Sequence, residues 1–204
     1  MGFASRKGFY HMKIYVDYDS TINDLDSKWC KWIFKHYKDK ITSKDILSWT
    51  WIEDTYGKGA NSFFQNPDIY SKDIIKPLKN SQNFIDTIID LFGYENIYII
   101  TSSYPGTEIE KEYHICRYFP IKSDNIIHSN QKWKHTHDGI LIDDNIHTVR
   151  DHCKYNKQFG IVFDKGSNNG WSKLTHIMGQ VKEIKNYIRI RENYKDILKL
   201  LKEI

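Results

Sequence analysis

The sequence predicts an α/β fold, a parallel sheet flanked by helices with a small helical cap inserted after the first strand, and two observations carry this. Four short apolar runs, at residues 13–16, 96–100, 139–142 and 159–163, are rich in Ile, Val or Tyr and bounded by turn residues, as buried strands are. Between them lie stretches with apolar residues at helical spacing. Strands that alternate with helices build a parallel, Rossmann-like sheet covered on both faces.

The elements follow in order. Residues 1–11 look unlike the rest, and His11-Met12 stands just before a strong strand, so we set them aside as an added leader with Met12 as the natural start. After the first strand, residues 21–80 break the alternation with mostly helical patterns and contain Trp29, Trp32, Trp49 and Trp51. This interval is the expected cap, leaving 12–20 and 81–204 as the core. The core resumes with a helix at 81–92, whose Phe84, Ile85, Ile88, Ile89 and Leu91 supply an apolar stripe. Further helices are expected at 107–118 and 146–153, and the tail from 181 to 204 again shows helical spacing, through Ile184, Tyr187, Ile188, Ile190, Tyr194, Ile197, Leu198 and Leu201.

A chain of 204 residues can bury one substantial core and still carry a small lobe. The formal charge is +4, but Lys and Arg are interspersed with Asp and Glu, so no polyanion-binding stripe stands out. A small phosphorylated partner fits better than a long nucleic acid. Cys30, Cys116 and Cys153 are odd in number and far apart, which argues against a disulfide framework or a structural zinc and for a reducing, cytoplasmic setting. No apolar run approaches the roughly 20 residues that span a bilayer, so no membrane partner is expected.

The chemistry is concentrated where strands end. The first strand runs into Asp17-Tyr18-Asp19-Ser20-Thr21, which puts two carboxylates two residues apart at the edge where open α/β sheets gather ligands. Burying one carboxylate is costly and burying two is worse, unless a cation lies between them. Magnesium, a hard ion with a preference for oxygen, would answer that need. A second acidic pair, Asp143-Asp144, follows the run 139–142, and hydroxyls at Thr101, Ser102 and Ser103 follow the run 97–100 just ahead of a helix start that could hold phosphate. Singly, an Asp-x-Asp or an Asp-Asp is commonly a helix cap or a turn. Three such motifs, each at the end of a strand, point to one metal-assisted phosphate site. His135, His137 and Asp138 form a zinc-like cluster, but they precede their strand and so belong at its opposite end; we take them, with His147 and His152, as surface groups.

Together these motifs resemble the signatures of the haloacid dehalogenase superfamily over nearly the whole chain from Met12 onward. Within it, residues 51–57, 61–64, 140–145 and 148–150 are similar to the 5'(3')-deoxyribonucleotidases. The resemblance implies that Asp17 attacks phosphorus and that Asp19 first protonates the leaving oxygen and then activates water. It implies magnesium held by the Asp17 carboxylate, the Asp19 backbone carbonyl and Asp143, with Asp144 in support, and phosphate held by Thr101, the Ser102 N–H and a lysine. The usual position of that lysine falls on Trp133, between Lys132 and Lys134; a one-residue insertion favours Lys132, with Lys134 the alternative. Trp51 and Phe63 are the candidate contacts to a nucleobase, whereas Trp29 and Trp32 are assigned to packing.

The expected activity is therefore magnesium-dependent hydrolysis of deoxynucleoside monophosphates. Alternatives are a phosphatase for a ribonucleotide, a phosphorylated sugar or a 3'-phosphorylated nucleic-acid end, a phosphate mutase, and a silent nucleotide-binding homologue. Aromatics on the cap equally fit the contact face of a homodimer.

Overall fold

The computed structural model describes residues 12–46, 49–164 and 187–204, with the side chains of Trp49 and Thr50 left out. The leader at 1–11 and the part of the tail before 187 lie outside these residues. Six strands, β1 (Lys13–Asp17), β2 (Ile97–Thr101), β3 (Ile126–His128), β4 (Gly139–Asp143), β5 (Gly160–Phe163) and β6 (Ile188–Arg191), form one sheet in the order β3-β2-β1-β4-β5-β6, and every pairing is parallel. The helices are α1 (Leu25–Tyr37), α2 (Trp49–Tyr56), α3 (Asp68–Ser71), α4 (Ser81–Phe92), α5 (Glu108–Tyr118), α6 (Ile146–Asn156) and α7 (Tyr194–Leu201).

Alternate residues of each strand supply the two faces. Ile14, Val16, Ile97, Ile99, Ile140, Ile142, Ile161 and Phe163 join one large core with Phe84 and Ile88 of α4 and Tyr194, Ile197 and Leu201 of α7. On the other face, Val162 and Ile188 pack against Ile146, Val149 and Cys153 of α6. Both faces are covered, which is why the strands read as continuous apolar runs.

Two expectations are corrected. The tail is not one helix: Ile188–Arg191 is an edge strand paired with β5 through Gly160↔Ile188 and Val162↔Ile190, and helix begins only at Tyr194, where the Asn193 side chain accepts from the Asp196 N–H. Ile188 and Ile190 alternate with Arg189 and Arg191, a period-2 pattern that a helical template also partly matches. Strand β3 went unread because three residues are too few to show any period.

Between β1 and β2 the described residues contribute no strand beyond an isolated bridge, Asn23↔Pro77. That bridge, with Leu78 N–H donating to Ile22 O (2.9 Å) and Asp24 N–H to Lys76 O (2.9 Å), brings the two connections of this helical interval side by side.

Candidate active site

β1 and β4 are neighbours at the point where the strand order reverses, the place where ligands bind open α/β sheets. Asp17 ends β1 and Asp143 ends β4, and oxygens of Asp17, Asp143 and Asp144 lie within 4.8 Å of one another. All three are buried. Lys132, from the short turn before β4, inserts its ammonium between the strands, pairing with Asp17 Oδ1 and with Asp143 Oδ2 (2.7 Å). Lys134 is exposed and lies over the Trp133 ring.

Thr21 joins the two strand ends. Its hydroxyl donates to Asp17 Oδ2 (3.0 Å) and accepts from the Asp144 N–H (3.1 Å). Asp19 is held on both oxygens: Asn23 Nδ2 donates to Oδ1 (3.1 Å), while Thr101 Oγ1 (3.2 Å) and Lys111 Nζ (2.5 Å) reach Oδ2. Asn23 in turn accepts from the Ser20 N–H at 3.0 Å, which supports Ser20 in a left-handed conformation at φ 60°. Asn145 N–H donates to Asp143 Oδ1 (2.8 Å), and the Asn145 side chain caps α6, so the acidic pair and the helix start form one turn.

Burial pushes the Asp17 carboxyl well above its usual range; Lys132 opposes this, and Asp143, Asp144 and Asp19 add to it. Burial would lower Lys132, but Asp143 and Asp17 outweigh it and keep the ammonium charged. The donor set suits a divalent cation: Asp17, Asp143 and Asp144 offer hard oxygens in a buried cluster beside Asp19, with Lys132 on Asp17 and Asp143 and Lys111 on Asp19.

These groups open on a cavity of about 500 Å³, within the roughly 300–1,000 Å³ common for small-molecule sites. Ser102, Lys132 and the acids line it, together with Leu25, Glu53, Asn61, Phe64, Tyr70 and Tyr104. Trp51 and Phe63 do not. Phe63 is buried against Trp32 and Phe64, and Trp51 packs edge-on against Tyr56, so the aromatic wall falls to Phe64, Tyr70 and Tyr104. Trp29 is buried behind Phe64. At the opposite strand ends, Asp138 accepts from Tyr15 OH (2.6 Å) and pairs with Lys13 (2.8 Å); His135 and His137 are exposed there.

A family model described as "5' nucleotidase, deoxy (Pyrimidine), cytosolic type C protein" matches residues 11–191. The chain belongs to this nucleotidase family. A 5'(3')-deoxyribonucleotidase of Clostridium acetobutylicum is 30% identical over 163 residues, covering 78% of this chain and 85% of the relative. Among solved structures, a predicted phosphatase from Clostridium acetobutylicum aligns with a TM-score of 0.58 at 14% identity, over 95% of this chain and 99% of that one. A haloacid dehalogenase-type hydrolase from Bacillus subtilis, bound to magnesium, aligns with a TM-score of 0.57 at 11% identity, over 94% and 99%. At these identities the structures attest the fold.

The nucleotidase is thus a phosphomonoester hydrolase of the haloacid dehalogenase fold, and its site contains residues that sequence reasoning passed over. Lys111, on α5, spends its ammonium on Asp19 Oδ2, Thr101 Oγ1 (3.0 Å) and Ser102 O (2.6 Å), and is buried. Its signal was positional: Lys111, His114 and Ile115 stand at helical spacing on one buried face. The nucleotidase also holds Tyr18, the residue between its two aspartates, through a buried hydrogen bond to His114 Nδ1, while His114 Nε2 donates to Ile75 O (3.0 Å). A carbonyl only accepts, so the His114 proton lies on Nε2 and Tyr18 is the donor.

Proposed function

We propose that this nucleotidase is a magnesium-dependent phosphomonoesterase that cleaves deoxynucleoside monophosphates to nucleoside and phosphate through an aspartyl-phosphate on Asp17. The observation that carries the reading is one cavity in which Asp17 and Asp19, two residues apart, meet Lys132, Ser102 and an aromatic wall. The deoxynucleotide class rests on the matched family and on the clostridial relative's name.

In this reading Asp17 attacks phosphorus as the ester P–O bond breaks, and Asp19 gives a proton to the leaving oxygen. Asp19, now a carboxylate, takes a proton from water as that water displaces the Asp17 oxygen and frees phosphate. Splitting the displacement this way needs a fixed nucleophile and a fixed proton carrier. Thr21 and Lys132 hold the first, and Asn23, Thr101 and Lys111 hold the second. Lys132 uses two of its three donors on Asp17 and Asp143, leaving one for a phosphoryl oxygen. The Thr101–Ser102 turn at the end of β2 lies beside Asp19 and supplies further donors. Magnesium would be held by Asp17, Asp143 and the Asp19 backbone, supported by Asp144, and would supply charge that keeps Asp17 ionised and polarises the phosphoryl group. Free thiols at Cys30, Cys116 and Cys153 agree with a cytoplasmic setting.

The test is phosphate release from deoxy- and ribonucleoside monophosphates, with magnesium and with chelator, in the intact protein and in Asp17→Asn. The expected result is magnesium-dependent turnover, faster on deoxy substrates, that falls by a factor on the order of 10⁴ or more in the variant. Turnover unchanged in Asp17→Asn would end the aspartyl-phosphate proposal.

A further inference from the structure

The helical interval between β1 and β2 gives the cavity two polar side chains that the hydrolytic steps do not use, Glu53 of α2 and Asn61 of the turn that follows it. Asn61 Nδ2 donates to Glu53 Oε2 at 3.2 Å. A carboxylate only accepts, so this contact fixes the amide: its nitrogen faces Glu53 and Asn61 Oδ1 is turned elsewhere. Among the described residues Glu53 takes part in no ion pair, and Asn61 is its one side-chain hydrogen-bond donor. Phe64 and Tyr104, with near-parallel rings 6.2 Å apart, share this wall. Glu53 and Tyr104 line the same cavity, and burial, and after it the Glu53 carboxylate, raise the Tyr104 hydroxyl, which stays a neutral phenol.

What Glu53 offers this wall is therefore acceptors, the carboxylate lone pairs that Asn61 leaves open. A flat aromatic group against Phe64 or Tyr104 that turns an edge toward them gains if the edge carries N–H donors and loses if it carries carbonyls. Nucleobases differ in this respect. Guanine presents two adjacent donors, N1–H and the 2-amino group, which match both oxygens of one carboxylate. Adenine and cytosine present an amino group beside an acceptor nitrogen. Thymine and uracil present N3–H flanked by two carbonyl oxygens, which the carboxylate would repel.

We infer that Glu53, oriented by Asn61, sets the base preference of this cavity and favours guanine over thymine and uracil. The inference rests on the deoxynucleotide reading above and deepens it. It also separates this chain from the pyrimidine named in the description of its family. Rejection of the wrong base comes from setting its carbonyls against the half-buried Glu53 carboxylate, which discriminates more strongly than a change of size or apolar area.

The experiment is steady-state hydrolysis of dGMP, dAMP, dCMP and dTMP, with p-nitrophenyl phosphate as a substrate that has no base, by the magnesium-loaded intact protein and by Glu53→Gln. The expected result is kcat/KM for dGMP at least about tenfold above dTMP, with dAMP and dCMP between. In Glu53→Gln the dGMP value falls at least about tenfold relative to p-nitrophenyl phosphate, and the dGMP:dTMP ratio collapses toward one, because an amide serves donors and carbonyls alike. Equal use of all four nucleotides, preference for dTMP, or an unchanged ratio in Glu53→Gln would overturn the base assignment and leave the deoxynucleotide reading standing. A parallel fall on every substrate would show a structural role for Glu53 and also overturn it. Hydrolysis of p-nitrophenyl phosphate with no nucleotide turned over would overturn both.

Discussion

Lys111 lines the cavity, yet its ammonium is spent on groups of the protein itself. Its ammonium is surrounded by Asp19, Thr101 and Ser102 O, so its donors are engaged in holding Asp19, the proposed proton carrier, against the end of β2. Removing one partner of a buried pair leaves the other charge uncompensated, at a cost of about 3–5 kcal/mol. Lys111→Met is therefore expected to lower stability in denaturant melts by roughly that amount, and to depress kcat much more than it raises KM, because Asp19 rather than phosphate loses its support. A purely raised KM would place Lys111 on the phosphate instead. Asp17, Asp19 and Asp143 were legible from strand ends, whereas Lys132 came only through the family resemblance, whose lysine position falls on Trp133 and had to be shifted by one residue. Lys111 was not, because a lysine inside a helical pattern is normally a solvated charge. Glu53, Phe64 and Tyr104 stayed hidden for another reason: which of many aromatics and acids lines a cavity depends on how helices pack, and periodicity carries no information about that.

At the scale of elements, α6 carries its own instruction for where Lys132 sits. His152 is fully buried, contrary to the surface position read from the sequence, and its Nε2 donates to Phe159 O (3.0 Å) while Nδ1 meets Thr136 Oγ1 (2.7 Å). Asn156 on the same helix donates to Trp133 O (2.8 Å), so α6 grips the turn 132–136 from two positions. Neutral imidazole fits this arrangement: Nε2 gives its proton to Phe159 O, which leaves Nδ1 as the acceptor facing Thr136 Oγ1 and Asn156 Nδ2. Burial lowers the His152 pKa from 6.5 to about 4. The folded value lies below the unfolded one, so stability is complete above pH 6.5 and is lost as pH falls from there toward 4, by about 3 kcal/mol from this group. His152→Gln keeps one donor and one acceptor but cannot be protonated. Urea unfolding at a series of pH values between 7.5 and 4.5 should show a shallower loss in the variant; parallel curves would mean that carboxylates alone set the acid limit. This helix was readable from spacing over 146–153, but the burial of its histidine was not, because the Thr136 and Phe159 partners lie outside the helix.

At the scale of the molecule, the sheet order explains why so many like charges are tolerated in one place. The identities of β1, β2, β4 and β5 came from apolar runs, whereas the order β3-β2-β1-β4-β5-β6 could not, since a sequence shows strands but not their neighbours. That order sets β1 beside β4 and so delivers Asp17, Asp143 and Asp144 to a single cleft, with Asp19 on the same loop. Register reinforces it: Lys13 pairs with Gly139, where an added Cβ would stand 2.2 Å from Lys13 O, so the two strands are locked at one end and their acids meet at the other. Buried carboxylates gathered this closely form a ready site for a divalent cation. A ligand that binds only the folded state stabilises it by mass action, about 2.7 kcal/mol at a hundred times its dissociation constant. Magnesium is therefore expected to raise the thermal midpoint in a concentration-dependent way, and chelator to reverse the rise. Asp143→Asn removes a proposed ligand, so most of the magnesium-dependent rise should disappear in it, whatever the weakened pairing with Lys132 does to the metal-free midpoint. A wild-type midpoint indifferent to millimolar magnesium would mean that Lys132 and Lys111 suffice to neutralise the cleft, and the metal would have to be sought at some other step.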